Sequence, residues 1–321
     1  QNAIPLPKAI CRVFGELYCV TMTAMPQTRF TLLPAFSVVA VSGRDARSFL
    51  QGQVTNDLLS LERHPGLLTA ACNPEGRVLE TMRLAADGET VRITVRRTLI
   101  SALTARLANY VLRAQVSLED RSDALAVAGL LDAQPNPSWS PASAAAAGLT
   151  MMVASSRRIQ LVGSRAVLLA VLTAIDQTGP EDWERTSIED GEPTVHPDTA
   201  GLWLPQMLNL DLLAAVNYTK GCYIGQEIVA RTQHLGRIKR RMLRYVGPAA
   251  APIRPGQMLY SGESPAAQVV AACNGPGELQ LLAVVALRFC TDLLGARPGG
   301  SELVPADLPY AIPAPERETT V

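Results

Sequence analysis

Apolar and polar positions repeat with two different periods along the chain, and the switches between them outline its elements. Phe36–Val41 is an apolar run of strand length. The segment SGRDARSFLQGQ behind it sets Ala46, Phe49 and Leu50 on one face of a helix, with Ser42 as its N-cap. Leu67–Cys72 and Arg77–Leu84 are strand-like and are joined by Asn73-Pro74-Glu75-Gly76, a turn by composition. Asp87-Gly88-Glu89 turns into Thr90–Val95, where β-branched residues alternate with arginines, and Thr98–Tyr110 carries Leu and Ala at helical spacing. Strands joined by tight turns and mixed with helices predict an α+β fold, not a doubly wound parallel sheet.

Further along, residues 132–148 (DAQPNPSWSPASAAAAG) read as a loop or surface excursion. Arg158–Leu161 and Ala166–Ile175 read as a strand and a helix. Beyond Arg241, short β-type runs (Leu243–Val246, Gln268–Ala272, Leu281–Leu287) alternate with Gly/Pro turns. That spacing predicts a small C-terminal β-barrel over 243–305, followed by a poorly ordered tail over 306–321. Residues 1–30 read as a poorly ordered extension, with Met22 or Met25 as alternative starts of the folded part.

The length of 321 residues suggests about two domains. With 48% hydrophobic and 18% charged residues the chain can build a packed core. Lys and Arg balance Asp and Glu at 29 each, which excludes the strongly basic signature of an obligate nucleic-acid binder but not a local patch. No apolar stretch approaches the ~20 residues of a membrane span, and no secretory signal is legible, so a soluble, cytoplasmic protein without membrane attachment is expected. The six cysteines include no CxxC pair and the three histidines are scattered, so no metal site is predicted. Five of the six cysteines read as small buried hydrophobes. Motifs for dinucleotide, NTP, serine-hydrolase and zincin chemistry are absent.

Cys222 is the exception among the cysteines. In Asn217-Tyr218-Thr219-Lys220-Gly221-Cys222-Tyr223-Ile224-Gly225-Gln226-Glu227-Ile228-Val229-Ala230-Arg231, glycines bracket it and a helix is predicted from about Gly225, with Glu227 in the first turn. A cation two residues away and a helix N-terminus both favour a thiolate, making Cys222 and Lys220 candidates for catalysis. The alternative is a buried cysteine in a Gly-rich turn with Lys220 in water. Five positive charges lie within 237–244 (RIKRRMLR), either a solvated basic face or a patch for polyglutamyl folate or RNA. Direct tRNA binding has no aromatic platform to support it.

The block KGCYIGQE, with RTSIEDGEP (185–193), LPQMLNLD (204–211), DARSFLQGQVTNDL (45–58), ACNPEGRVLETMRL (71–84), YVLRAQVSLEDRS (110–122) and HLGRIKRRM (234–242), resembles the YgfZ family of folate-binding proteins, relatives of the glycine-cleavage T-protein. The resemblance runs over roughly residues 36–290. It implies a three-domain cloverleaf of the T-protein type: two intertwined α+β domains over 31–242 that bind folate, then the barrel. It also implies tetrahydrofolate or a one-carbon derivative as ligand. Asp57 and Asn56 of VTND, Glu189 of IEDG, and Tyr223, Gln226, Glu227 and Arg231 are the folate-site positions it implies. A carboxylate suits the pterin edge because it can accept two adjacent N–H groups. On residue chemistry alone, Asp57 reads equally as an N-cap and Glu189 as a solvated loop acid. The implied role is assembly or repair of iron–sulfur clusters, with client proteins or assembly factors as partners and an indirect effect on tRNA-modifying enzymes. An aminomethyl or other one-carbon transferase is the alternative.

Overall fold

The computed structural model describes residues 27–133, 139–236, 238–248, 252–275, 277–297 and 302–313. The chain enters as β1 (Arg29–Leu32), β2 (Phe36–Ser42) and α1 (Ala46–Gln51), followed by β3 (Leu67–Cys72), β4 (Val78–Asp87) and β5 (Thr90–Arg96). Next come α2 (Ile100–Val111), β6 (Ser117–Asp120), β7 (Ala126–Leu131), α3 (Pro141–Ala146), β8 (Thr150–Ser155) and β9 (Arg158–Gly163). Helix α4 (Arg165–Val171), β10 (Asp176–Gln177), α5 (Pro180–Glu189) and α6 (Gln226–His234) lead to the C-terminal strands. These are β11 (Arg240–Pro248), β12 (Met258–Ser261), β13 (Ser264–Asn274), β14 (Glu278–Ala286), β15 (Leu294–Gly295) and β16 (Glu302–Ala306).

Three sheets organise the molecule. One runs β3-β4-β5-β2-β6, a second β10-β1-β7-β9-β8, and β11-β14-β13-β12-β15-β16 close into a barrel. Every pairing is antiparallel except β1 with β10. The fold is therefore mixed α+β with a small C-terminal barrel. Helix α5 joins two of these units: it packs on β1 and β7 of the second sheet and on β13 and β14 of the barrel. Its Trp183 lies so close over β7 that a Cβ on Gly129 would stand 2.3 Å from the ring, so that strand position requires glycine.

The alternating runs pair as strands because their buried positions match the apolar ones: Val38, Val39 and Val41 of β2 and Val91, Ile93 and Val95 of β5 are fully buried. The helix after β2 starts later than its sequence suggests. Ser42 ends β2 and Asp45 is the N-cap, because Gly43, at φ +106, turns the chain against Gln115. The 132–148 excursion contains α3, started by a capping box between Ser140 and Ser143 with Pro141 in the first turn. Residues 134–138 of that excursion lie outside the described residues.

Both ends contribute more than their composition suggests. Residues 1–26 lie outside the described residues, but Arg29 and Phe30 of the expected extension belong to β1, and Phe30 is buried. In the expected loose tail, Tyr310 donates from Oη to the Gly191 carbonyl at 2.7 Å and accepts from Asn209 Nδ2 at 3.3 Å. Leu308 packs on the main core. Residues 314–321 are outside the described set. Among the described residues no helix is long and apolar enough to cross a membrane.

Candidate functional site

The KGC loop is shaped by its first residue. Asn217 Oδ1 accepts from the Thr219 N–H at 2.8 Å, the Thr219 hydroxyl at 3.0 Å and the Lys220 N–H at 2.9 Å, curling the backbone into a tight turn. Lys220 then reaches across to the segment after α1. Its Nζ donates to the carbonyls of Gln51, Val54 and Asn56 at 2.6, 2.7 and 2.7 Å. An ammonium has three N–H groups, and all three are spent. Burial brings its pKa down to about 8, with Asp57 pulling the other way, so at neutral pH it is a charged tether. Nothing in this geometry leaves Lys220 as a free base or nucleophile; it positions the loop.

Cys222 is carried exposed on that tethered loop, and the remaining described cysteines are buried or half-buried. Tyr223 turns inward beneath Lys220, whose Nζ stands 5.3 Å from the ring centroid. Gly225, at φ +81, then starts α6. A Cβ there would stand 2.4 Å from the Asn73 carbonyl, and one on Gly76 would meet the Ile228 side chain at 3.0 Å. The NPEG turn and the KGCYIG turn therefore interlock backbone to backbone, which explains why two glycine turns far apart in sequence belong to one feature. Gly225→Ala is expected to lose about 2–3 kcal/mol of unfolding free energy, from positive φ and the clash together. Urea denaturation measures it, and a loss below about 0.5 kcal/mol would contradict the interlock.

Beside this loop lies a cavity of about 550 Å³ between β3, β8 and the 213–217 segment. Asn56, Asn217, Arg83, Asp190 and Glu192 supply most of its polar lining. Behind it runs a chain of alternating charges. Glu192 Oε2 accepts from Arg83 Nη2 at 2.5 Å and from Arg158 Nη2 at 2.6 Å. Asp190 accepts from Arg158 Nε at 2.5 Å and from Arg157 Nε at 3.0 Å. Burial alone would raise both carboxyls, but the guanidinium groups hold each below its ordinary range. Arg158 is fully buried and stacks 4.9 Å from the Trp183 ring centroid. The two donors share one oxygen of Glu192, and Oε1 has no protein donor among the described residues. Asn217, also a lining residue, spends its oxygen on the turn, and its amide N–H groups have no protein acceptor among the described residues. Glu192 and Asn217, with an acceptor and donors free of protein partners among the described residues, thus line one half-open hollow, a set of groups suited to a flat heterocyclic amide.

The structure gathers some of the sequence-derived residues and separates others. Asn56 lines the cavity, but its side chain is bound into the fold: Nδ2 donates to the Leu68 and Ala214 carbonyls, each at 2.8 Å, and Oδ1 accepts from the Asp57 N–H. Asp57 is the N-cap of the short helical turn Leu58–Ser60 and accepts from Gln51 Nε2, so its local alternative is realised. Glu189 pairs with Arg157 at 2.9 Å and is not part of the cavity lining. Tyr223, Gln226, Glu227 and Arg231 are also absent from that lining; Glu227 and Arg231 are exposed on α6. The neighbours Asp190 and Glu192 take the cavity-facing places. The signal was present in IEDGEP, which holds three acids in four residues, but facing is set by the turn at Gly191, φ +65.

The basic 237–244 stretch is not one exposed face. Arg241 is buried in a bidentate pair with Asp211, at 2.7 and 2.9 Å, and Arg244 is tied to Gln280. Lys239 and Arg240 are exposed, and Arg237 lies outside the described residues. Among the described residues, no group of three His, Cys, Asp or Glu could hold a metal ion.

No protein-family model matches the chain. Among curated relatives, it is 27% identical over 236 residues to a protein of Colwellia psychrerythraea named tRNA-modifying protein YgfZ, covering 69% of this chain and 72% of that one. It is 27% identical over 250 residues to the protein of that name from Escherichia coli O157:H7, covering 73% and 76%. A Haemophilus influenzae relative, named only as an uncharacterized protein, is 30% identical over 220 residues, covering 67% and 72%. Among solved structures, the glycine cleavage system aminomethyltransferase T from Bartonella henselae superposes with a TM-score of 0.67 at 16% identity, covering 89% of this chain and 86% of that one. With the KGCYIGQE turn at its centre and the glycine-cleavage T-protein architecture around it, this chain belongs to the YgfZ family.

Proposed function

We propose that this protein binds a reduced folate in the 550 Å³ cavity and serves the assembly or repair of iron–sulfur enzymes, including those that modify tRNA, with Cys222 as its working thiol. The observation that carries the reading is the Lys220 tether. It fixes the loop bearing the exposed Cys222 to Asn56, a cavity residue, while the loop's own Asn217 lines the same cavity. The residues present fit a pterin: Glu192 Oε1 is available to accept from its N–H edge, and the Asn217 amide to donate. When bound, a reduced folate would supply a one-carbon carrier. The protein's own part is to enclose the ligand, neutralise Glu192 through Arg83 and Arg158, and present a thiol outside the cavity. A cluster ligated through Cys222 requires further ligands from a partner chain or a small thiol. The relatives' name, tRNA-modifying protein, supports the link to tRNA.

Calorimetric titration of tetrahydrofolate into the wild type, Glu192→Gln and Cys222→Ala tests the reading. Glu192→Gln is expected to weaken binding about tenfold, the equivalent of one charge-assisted hydrogen bond, and Cys222→Ala to leave it unchanged. In cells lacking the protein, Cys222→Ser is expected to fail to restore iron–sulfur enzyme activity. Full rescue by that variant would remove the thiol from the mechanism, and turnover of a folate by purified protein would move the reading to a one-carbon transferase.

A further inference from the structure

A second hollow, of about 350 Å³, lies away from the KGC loop where all three units meet. Pro34 and Ala35 come from the β1–β2 turn, Arg96–Thr98 from the end of β5, His196–Asp198 from the chain after α5, and Arg254 from the barrel. Its charge is unbalanced. Arg96 pairs with Glu184 at 2.9 Å, but among the described residues the Arg97 side chain donates only to the Pro34 carbonyl, at 3.1 Å, and the Arg254 guanidinium has no partner. Asp198 is the one carboxylate of the lining. Three guanidinium groups round one hollow repel each other; Glu184 offsets one and Asp198 stands against the other two, which leaves the lining net positive.

Two further features point the same way. His196 Nε2 is buried with no hydrogen-bond partner, and so is Arg96 Nε. Burial, with Arg96 second, draws the His196 pKa down to about 4, so the ring is neutral at pH 7 and its Nε2 lacks a protein partner among the described residues in either tautomer. A buried donor without an acceptor costs about 1–3 kcal/mol, and an oxyanion would supply that acceptor.

We propose that this hollow binds the phosphate group of a small molecule, with Arg97, Arg254 and His196 as its donors. Planar guanidinium forks match phosphate oxygens two at a time, and a volume well above that of a bare ion leaves space for the remainder of a phosphate monoester. The proposal is independent of folate binding, since the two cavities share no residue.

The test is calorimetry at fixed ionic strength with inorganic phosphate, glycerol phosphate and chloride, on the wild type, Arg254→Gln and Arg97→Gln. Saturable phosphate binding is expected, weakened at least about tenfold in each variant, with tetrahydrofolate binding untouched. Tighter binding of glycerol phosphate identifies an ester as the ligand, and equal binding identifies free phosphate; both support the assignment. No saturation by either compound below about 10 mM, or equal affinity in wild type and both variants, overturns it. Arg254 is exposed on a barrel loop, so its variant should fold, and thermal denaturation of the free protein checks that it does.

Discussion

Lys220→Met is expected to lower the unfolding free energy by about 3 kcal/mol, near 1 kcal/mol for each of the three carbonyls left without a donor. Methionine keeps the length and the packing of the side-chain stem, so the difference isolates the ammonium head. Its position at the end of α1, where Gln51 is the last residue, adds a favourable interaction with the helix C-terminus. The cation–π contact with Tyr223 adds a few tenths more. Lys220→Arg should recover little, because a planar fork cannot direct donors at three carbonyls grouped round a point charge. Urea denaturation gives the free energy, and amide hydrogen exchange over 217–224 should speed up before the rest of the molecule does. A loss under about 1 kcal/mol with unchanged exchange would show that the loop holds itself and that Lys220 is free for chemistry.

This tether was only half legible in the sequence. A lysine two residues before a cysteine reads as a local electrostatic neighbour, whereas its three acceptors lie more than 160 positions away, in a segment whose approach depends on the whole first sheet. What local pattern controls was readable: the β2, β3, β4 and β5 runs, the helix opening at Gly225 and the barrel strands. What depends on facing across units was not. Arg158 opens a strand-like run with nothing local to show its burial, yet it is fully buried, and Arg241 sits inside a basic run yet is locked to Asp211. Glu189 and Glu192 are three positions apart. Only the Gly191 turn decides that the second, not the first, meets the cavity. The departures share one cause: a charged side chain's burial is set by the partner that neutralises it, and that partner is distant in sequence.

The pair Glu192–Arg158 gives the largest expected effect. Arg158→Met leaves Glu192 with Arg83 alone and Asp190 with Arg157 alone, and removes the stack on Trp183. Breaking one side of a buried ion network costs about 3–5 kcal/mol, because the desolvation of the remaining charge is no longer offset. Acid should separate this from a simple packing defect. Burial opposes the charged carboxyls, but the arginines outweigh it and hold Asp190 and Glu192 below their ordinary values. As pH falls through the ordinary carboxyl range, about 4, the unfolded chain takes up these protons first. The contribution of the network is therefore complete above that range and is lost as pH drops through the lower folded values. In Arg158→Met those values move up, so the wild-type advantage should shrink steadily between about pH 6 and pH 3. Unfolding free energies of both proteins across that window measure the gap. A gap that stays constant with pH would mean that Arg158 acts through its packing on Trp183 and not through the carboxylates behind the cavity.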